Sequence, residues 1–186
     1  MRDVAEGNSI TQVPKQVDFL VNLCPKKEVA VQAGGWQGTA PLLLSKHFSL
    51  VYTYEPEIRN YSILVDSIED RNIIPMFGLL WNERGTGGLT LFSPNNSGDY
   101  RSQPDGNIPR HKIDDLQLPS CDLIWLDVQG DEHEALLGAS DTINKYHPVI
   151  GFERHRKQPH SSDVGKFLMT LGYKYAGKKF QDRFYV

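Results

Sequence analysis

Cysteine is scarce in this sequence: Cys24 and Cys121 are the only two, far apart and in no metal-ligand spacing. A disulfide framework is therefore not expected, and a reducing compartment fits. Long apolar runs are also missing. The longest, Ile73 to Trp81, has nine residues and is interrupted by Pro75 and Gly78, too short to span a bilayer. The first residues, Met1-Arg2-Asp3-Val4-Ala5-Glu6, are too polar for a signal peptide. Charge of one sign is absent too. Twenty basic residues against 23 acidic ones leave a formal charge of −3, which argues against a nucleic-acid coat. These absences lead us to expect a cytoplasmic protein without a membrane span.

What is present is ordinary for a globular domain: 39% hydrophobic and 23% charged residues in a chain of 186. That length suits one domain over residues 1–186, able to bury about 70% of its unfolded surface.

Helical and extended patterns alternate. Pro14 to Leu23 places Val17, Leu20 and Val21 on one face and predicts a helix with Pro14 at its start. This falls in a helical extension over residues 1–27. Thr39–His47, Glu57–Asp70, Asp131–Tyr146 and Ser162–Leu171 also read as helices, the last ended by Gly172. Val29–Val31, Leu50–Tyr54, Ile73–Trp81, Asp122–Val128 and Val149–Phe152 read as strands. Residues 82–105 are rich in Gly, Asn, Ser and Pro and predict a hairpin-like excursion, with a mobile substrate loop over 93–108. The alternation predicts an α/β fold with a mostly parallel sheet covered on both faces. Tyr173–Ala176 and Arg183–Val186 are joined too tightly for a helical crossover, so an antiparallel hairpin at the sheet edge is expected.

Two features point to a ligand. The first strand runs into Gln32-Ala33-Gly34-Gly35-Trp36-Gln37-Gly38 and then a helix, a turn that lets backbone approach a ligand. Glu55 ends the next strand, where an acid can accept both hydroxyl hydrogens of a ribose. A dinucleotide fingerprint would need glycine at position 33, and no Gly-Lys-Ser/Thr phosphate loop is present. An adenosyl cofactor without phosphates fits better.

From Glu28 to Gly172 the chain resembles the FkbM-type S-adenosylmethionine-dependent methyltransferases. The carriers of that resemblance are Gln32–Gly38, Tyr54-Glu55-Pro56, Ile113-Asp114-Asp115-Leu116, Asp127-Val128-Gln129-Gly130-Asp131-Glu132 with Leu136-Leu137-Gly138-Ala139, and Pro148–Glu153. It implies a Rossmann-like class I methyltransferase fold with a seven-stranded sheet, S-adenosylmethionine as cofactor, and O-methylation of a sugar or other small polyhydroxyl acceptor. The cofactor-binding residues expected are Gln32, Ala33, Gly34, Gly35, Trp36, Gly38, Glu55, Pro56, Leu80, Trp81 and Asp127.

Asp127, at the carboxyl end of a central strand, Glu153 and His155 are candidate catalytic residues. Arg101, Gln129, Glu132, Arg154 and Arg156 are candidates for acceptor binding, and the basic run at 154–157 suits an anionic acceptor such as a phosphorylated sugar. His111 and Asp115 are weaker candidates; His47, His133, His147 and His160 are assigned no chemistry. No metal is called for. Gln32 and Gln129 stand where the family has acids, which motivates a second reading, a partner-binding module that does not catalyse. A nucleic-acid methyltransferase is a third reading, motivated by Arg154–Lys157 and Lys174, Lys178 and Lys179. The short chain leaves room for a second copy to complete the acceptor site.

Overall fold

The computed structural model describes residues 4–69, 72–92, 100–154 and 161–186. Its main sheet is built from β1 (Val29–Ala33), β2 (Leu50–Glu55), β3 (Ile73–Phe77), β7 (Leu123–Leu126), β8 (Val149–Glu153), β9 (Tyr175–Lys179) and β10 (Asp182–Tyr185). Their order is β3-β2-β1-β7-β8-β10-β9. The first five are parallel, while β10 runs antiparallel to both β8 and β9. The expected parallel sheet with a terminal antiparallel hairpin is the observed one.

The central strands read as unbroken apolar runs because both faces are covered. Val31 and Ala33 of β1 and Ile124 and Leu126 of β7 enter one core, whereas Ala30, Leu123 and Trp125 enter the other. Helix α1 (Val4–Leu23) covers the second face through Val17, Leu20 and Val21. It extends N-terminally beyond Pro14, which lies inside it rather than at its start. The stripe of Val17, Leu20 and Val21 marks only the C-terminal part of the helix, so pattern alone placed the beginning too late. Helices α2 (Thr39–Leu44) and α3 (Ile58–Ser67) follow β1 and β2.

Three further expectations are corrected. The strand expected over Ile73–Trp81 breaks at Gly78, whose φ is +144°. A Cβ there would lie 2.6 Å from both His111 Cδ2 and Pro109 O, so only glycine lets the chain leave the main sheet at this point. It then forms β4 (Leu79–Leu80), which joins β5 (Gly85–Leu91) and β6 (Tyr100–His111) in a second sheet ordered β4-β6-β5. From Tyr100 to Ile108 the predicted loop is strand, paired antiparallel to β5; residues 93–99 of that loop lie outside the described residues. The glycines that suggested mobility serve close approach instead, since a Cβ at Gly88 would lie 2.3 Å from Asp105 O.

The single helix expected over Asp131–Tyr146 is two, α4 (Glu132–Leu137) and α5 (Ser140–Tyr146). At their junction a Cβ on Gly138 would lie 2.0 Å from Trp81 O, so a close approach to the second sheet coincides with the break. Asp114 then caps α5, its Oδ1 accepting from Thr142 N at 2.9 Å and its Oδ2 from Asp141 N at 3.1 Å. Helix α6 (Ser161–Thr170) precedes Gly172, which has φ +88°.

Candidate active site

Strand order reverses between β1 and β7, and open α/β sheets bind ligands outside the carboxyl ends of their strands at such a point. A cavity of about 360 Å³ lies there, walled by the ends of β1, β2, β7 and β8, by Gln12 and Gln16 of α1, and by Leu89, Tyr100 and Ser102 of the second sheet.

One end of the cavity is the glycine turn. Gly34 N and Gly35 N both donate to Tyr54 O, at 3.0 and 2.9 Å. Gly34 has φ +83°, and a Cβ on it would lie 2.2 Å from Asp127 O. This turn therefore admits only glycine, for conformation and for space. Trp36 follows at φ +43°, donating its backbone N–H to Glu55 Oε2 at 2.7 Å. Glu57 N donates to Glu55 Oε1 at 2.9 Å. Burial raises the Glu55 carboxyl to about 7 despite these two donors and a hydrogen bond from the Asn60 side chain. A carboxylate offers about four lone-pair sites, so Glu55 retains acceptor capacity.

Gln32 lines the cavity but spends its amide within the turn. Its Nε2 donates to Ala33 O and Gly34 O, both at 2.9 Å, and its Oε1 accepts from the Thr53 hydroxyl.

At the other end stand Asp127, after β7, and Glu153, which ends β8. Gln129 spans them, its Nε2 donating to Asp127 Oδ1 at 2.9 Å and to Glu153 Oε2 at 3.1 Å. Asp127 opens onto the cavity. Its carboxyl nevertheless stands well above the ordinary range, held there by the surrounding protein and by the carboxylates of Glu153, Asp182 and Glu132. Behind the pair, Asp182 Oδ2 accepts from Trp125 Nε1 at 2.9 Å, and burial raises its carboxyl to about 7. Asp131, on the side of the second sheet, is raised by burial to about 6 while the Ser102 hydroxyl donates to it.

Gln32, Ala33, Gly34, Gly35, Trp36, Glu55, Pro56, Leu80, Asp127, Gln129 and Glu153 all line this cavity. Other expected site residues do not. Gly38 caps α2 at φ +101°. Trp81 donates its backbone N–H to His111 O, and its ring lies under the Arg110 guanidinium at 4.5 Å. Glu132 is buried and accepts from Gly130 N at 3.2 Å. Arg101 lies 3.4 Å over the Phe92 ring. Arg154 lines a separate shallow hollow with Lys166, Tyr175 and Arg183. His155 and Arg156 lie outside the described residues. Asp115 forms a bidentate surface pair with Arg84 at 2.7 and 2.9 Å, and His111 Nε2 sits 3.2 Å from Phe77 O. Sequence reasoning missed Gln12, Gln16, Asn60 and Asp131 as cavity residues, whereas Tyr100 and Ser102 fall in the expected substrate loop. Of those missed, only Asp131 carried a signal, its place in the motif that contains Gln129.

A family model described as the methyltransferase FkbM domain matches residues 47–179. The chain belongs to the FkbM methyltransferase family. The glycine turn at 32–38 precedes the matched segment. No match is found among curated proteins. Among solved structures, the FkbM methyltransferase of Methylobacillus flagellatus KT is 17% identical with a TM-score of 0.62, covering 86% of this chain and 43% of that one. This FkbM chain thus spans less than half of that relative. The magnesium protoporphyrin IX methyltransferase of Synechocystis PCC 6803, solved with bound S-adenosylmethionine, is 18% identical at TM-score 0.55, covering 99% and 80%. A precorrin-6y C5,15-methyltransferase of Geobacter metallireducens GS-15 is 12% identical at TM-score 0.57, covering 92% and 85%. Family and fold are those of S-adenosylmethionine-dependent methyltransferases. Among the described residues no helix is long and apolar enough to cross a membrane, and no group of His, Cys, Asp and Glu could hold a metal.

The cavity fits that cofactor. Trp36 Nε1 is buried with no hydrogen-bond partner among the described residues, a donor awaiting an acceptor. Four carboxyl groups, Glu55, Asp127, Asp131 and Glu153, line the cavity, and no Lys, Arg or His does among the described residues. Such a lining suits a ligand that carries positive charge.

Proposed function

We propose that this protein is an S-adenosylmethionine-dependent O-methyltransferase acting on a neutral polyhydroxyl acceptor, such as a sugar. The observation that carries the reading is Glu55, buried beneath the glycine turn, with backbone N–H groups on one side and a cavity on the other. A carboxylate so placed is oriented before any ligand arrives and accepts the two hydroxyl hydrogens of a ribose. Pro56 and Leu80 offer apolar contact beside it.

S-adenosylmethionine supplies a methyl group on a sulfonium sulfur; its transfer to an acceptor oxygen breaks the carbon–sulfur bond and leaves a hydroxyl proton to be removed. Beside Glu55, the carboxyl groups among the described residues that line the cavity and can take this proton are Asp127, Asp131 and Glu153. The turn and Glu55 orient, and the second sheet, through Leu89, Tyr100 and Ser102, shields the acceptor side from water. A neutral acceptor is supported by the lining, which among the described residues holds carboxyl groups and no cation. Arg154, expected to bind an anionic acceptor, does not line the cavity, and a phosphorylated acceptor would face carboxylates.

Isothermal titration with S-adenosylhomocysteine tests the reading. Binding in the micromolar range is expected; no binding at millimolar ligand overturns it.

A further inference from the structure

Arg154 stands apart from the cavity, in a hollow of about 430 Å³ at the antiparallel edge of the main sheet. Strand pairing builds its floor. Arg183 of β10 lies opposite Phe152 of β8 on one side and Lys178 of β9 on the other, so the three side chains share one face of the sheet. Tyr185, two residues beyond Arg183, shares that face. Its ring stacks 5.8 Å from that of Phe152 and meets the Tyr175 ring edge-on at 5.5 Å. Helix α6 covers the inner part of this face, where Val164 and Leu168 join Phe152 and Tyr185 in the core. Lys166 and Met169 of the same helix line the hollow. Between them and the sheet, a Cβ on Gly165 would lie 2.6 Å from Tyr185 Oη. Glycine, otherwise unfavourable inside a helix, leaves room there for the hydroxyl.

Two kinds of contact meet in this hollow. The first is positive charge. Arg183 Nη1 donates to the Gln181 and Asp182 carbonyl oxygens, each at 3.2 Å, which holds its guanidinium at the turn. Burial raises the Tyr185 hydroxyl above its ordinary range, and the charges of Arg183 and Arg154 oppose that rise, so both guanidinium groups lie close to it. Arg183 and Lys178, directly opposite on neighbouring strands, repel each other, and an anion between them relieves that repulsion. The second contact is apolar and aromatic. Tyr175 is 53% exposed and Met169 65%. A half-exposed ring and an adaptable thioether beside guanidinium groups suit a planar body that carries an anion.

We infer that this hollow is a binding site for a nucleoside phosphate, with the base against Tyr175 and Met169 and the phosphate on Arg154 and Arg183. Arginine suits the phosphate because its planar fork donates two parallel hydrogen bonds. The source is a free nucleotide or a nucleotide within a single strand. The inference does not rest on the methyltransferase reading, because Arg154, Met169, Tyr175 and Arg183 all lie outside the cavity lining.

Calorimetric titration of the full chain with uridine diphosphate tests it, the pyrimidine being chosen to discriminate against an adenosyl site. Binding is expected at least about fivefold tighter than that of inorganic phosphate, by the worth of stacking one base. Tyr175→Ala should remove that margin and leave phosphate binding as it was. Arg183→Ala should weaken both ligands by at least about tenfold. Ring-proton shifts of Tyr175 and Tyr185 during titration of the parent locate the ligand without any variant, and both rings should move. A labelled oligouridylate of about twelve nucleotides separates the sources: binding more than about tenfold tighter than uridine diphosphate assigns a strand, and equal binding a free nucleotide. No binding at millimolar uridine diphosphate, phosphate bound as tightly as the nucleotide, or a polyglutamate peptide bound more tightly than either would overturn the inference.

Discussion

The two ends of the cavity handle negative charge in opposite ways. At the glycine turn one carboxylate, Glu55, is met by two backbone N–H groups that β2 and the turn hold in place, and by the Asn60 side chain. At the other end two carboxyl groups, Asp127 and Glu153, both accept from the side-chain amide of Gln129. Backbone donors cannot be removed by substituting their own side chains and have no rotamer freedom, so the first end is suited to recognition. The second depends on one side chain, Gln129, that a substitution can remove.

Gly34→Val should break the comparison most completely, because both ends meet at this residue. Its Cβ would enter Asp127 O at 2.2 Å, in a conformation that β-branched residues avoid. A loss of several kcal/mol in chemical denaturation is expected, together with loss of S-adenosylhomocysteine binding. Glu55→Ala should act on one end alone. Two hydrogen bonds to a charged acceptor are worth ~1.5–3 kcal/mol each, so affinity should fall at least about tenfold by calorimetry. Unchanged affinity would remove the ribose assignment.

The pH dependence sharpens the contrast. Burial raises Glu55 from an ordinary 4.5 to about 7. Its contribution to stability is therefore full below 4.5 and is lost as pH rises through about 7. Glu55→Gln should show a smaller drop in Tm between pH 5 and pH 8 than the parent. Part of the drop should remain, because Asp182 has the same sign and also lies at about 7. Conversely, S-adenosylhomocysteine affinity should increase through about pH 7 in the parent and stay flat in Glu55→Gln. The smallest effect is expected from Trp81→Phe. Its ring packs against Arg110 outside the cavity, so affinity should change less than about twofold.

Much of the main sheet was legible in the sequence. Buried parallel strands must be apolar on both faces, so Val29–Val31, Leu50–Tyr54 and Val149–Phe152 announce themselves. The turn at Gly34 and the acid at Glu55 were legible because local chemistry demands those residue types. The second sheet was not. Gly85, Gly87, Gly88 and Gly106 resemble loop glycines in composition, and only the pairing of β5 with β6 shows that two of them, Gly88 and Gly106, stand where strands approach too closely for a Cβ. Trp81 and Arg101 were misplaced for the same reason: their roles depend on a sheet whose existence is set by the kink at Gly78.

The sequence by itself determined the alternation of elements, the glycine turn after β1 and the acid that ends β2, since each depends on residues near one another in the chain. Tertiary structure alone decided that Gln32 is consumed within the turn and that Gln129 joins two strand ends. It also decided that Arg154 lies outside the cavity. Those outcomes depend on which strands lie side by side and which way each side chain faces, a relation between residues 24 positions apart for Gln129 and Glu153 that local pattern does not encode.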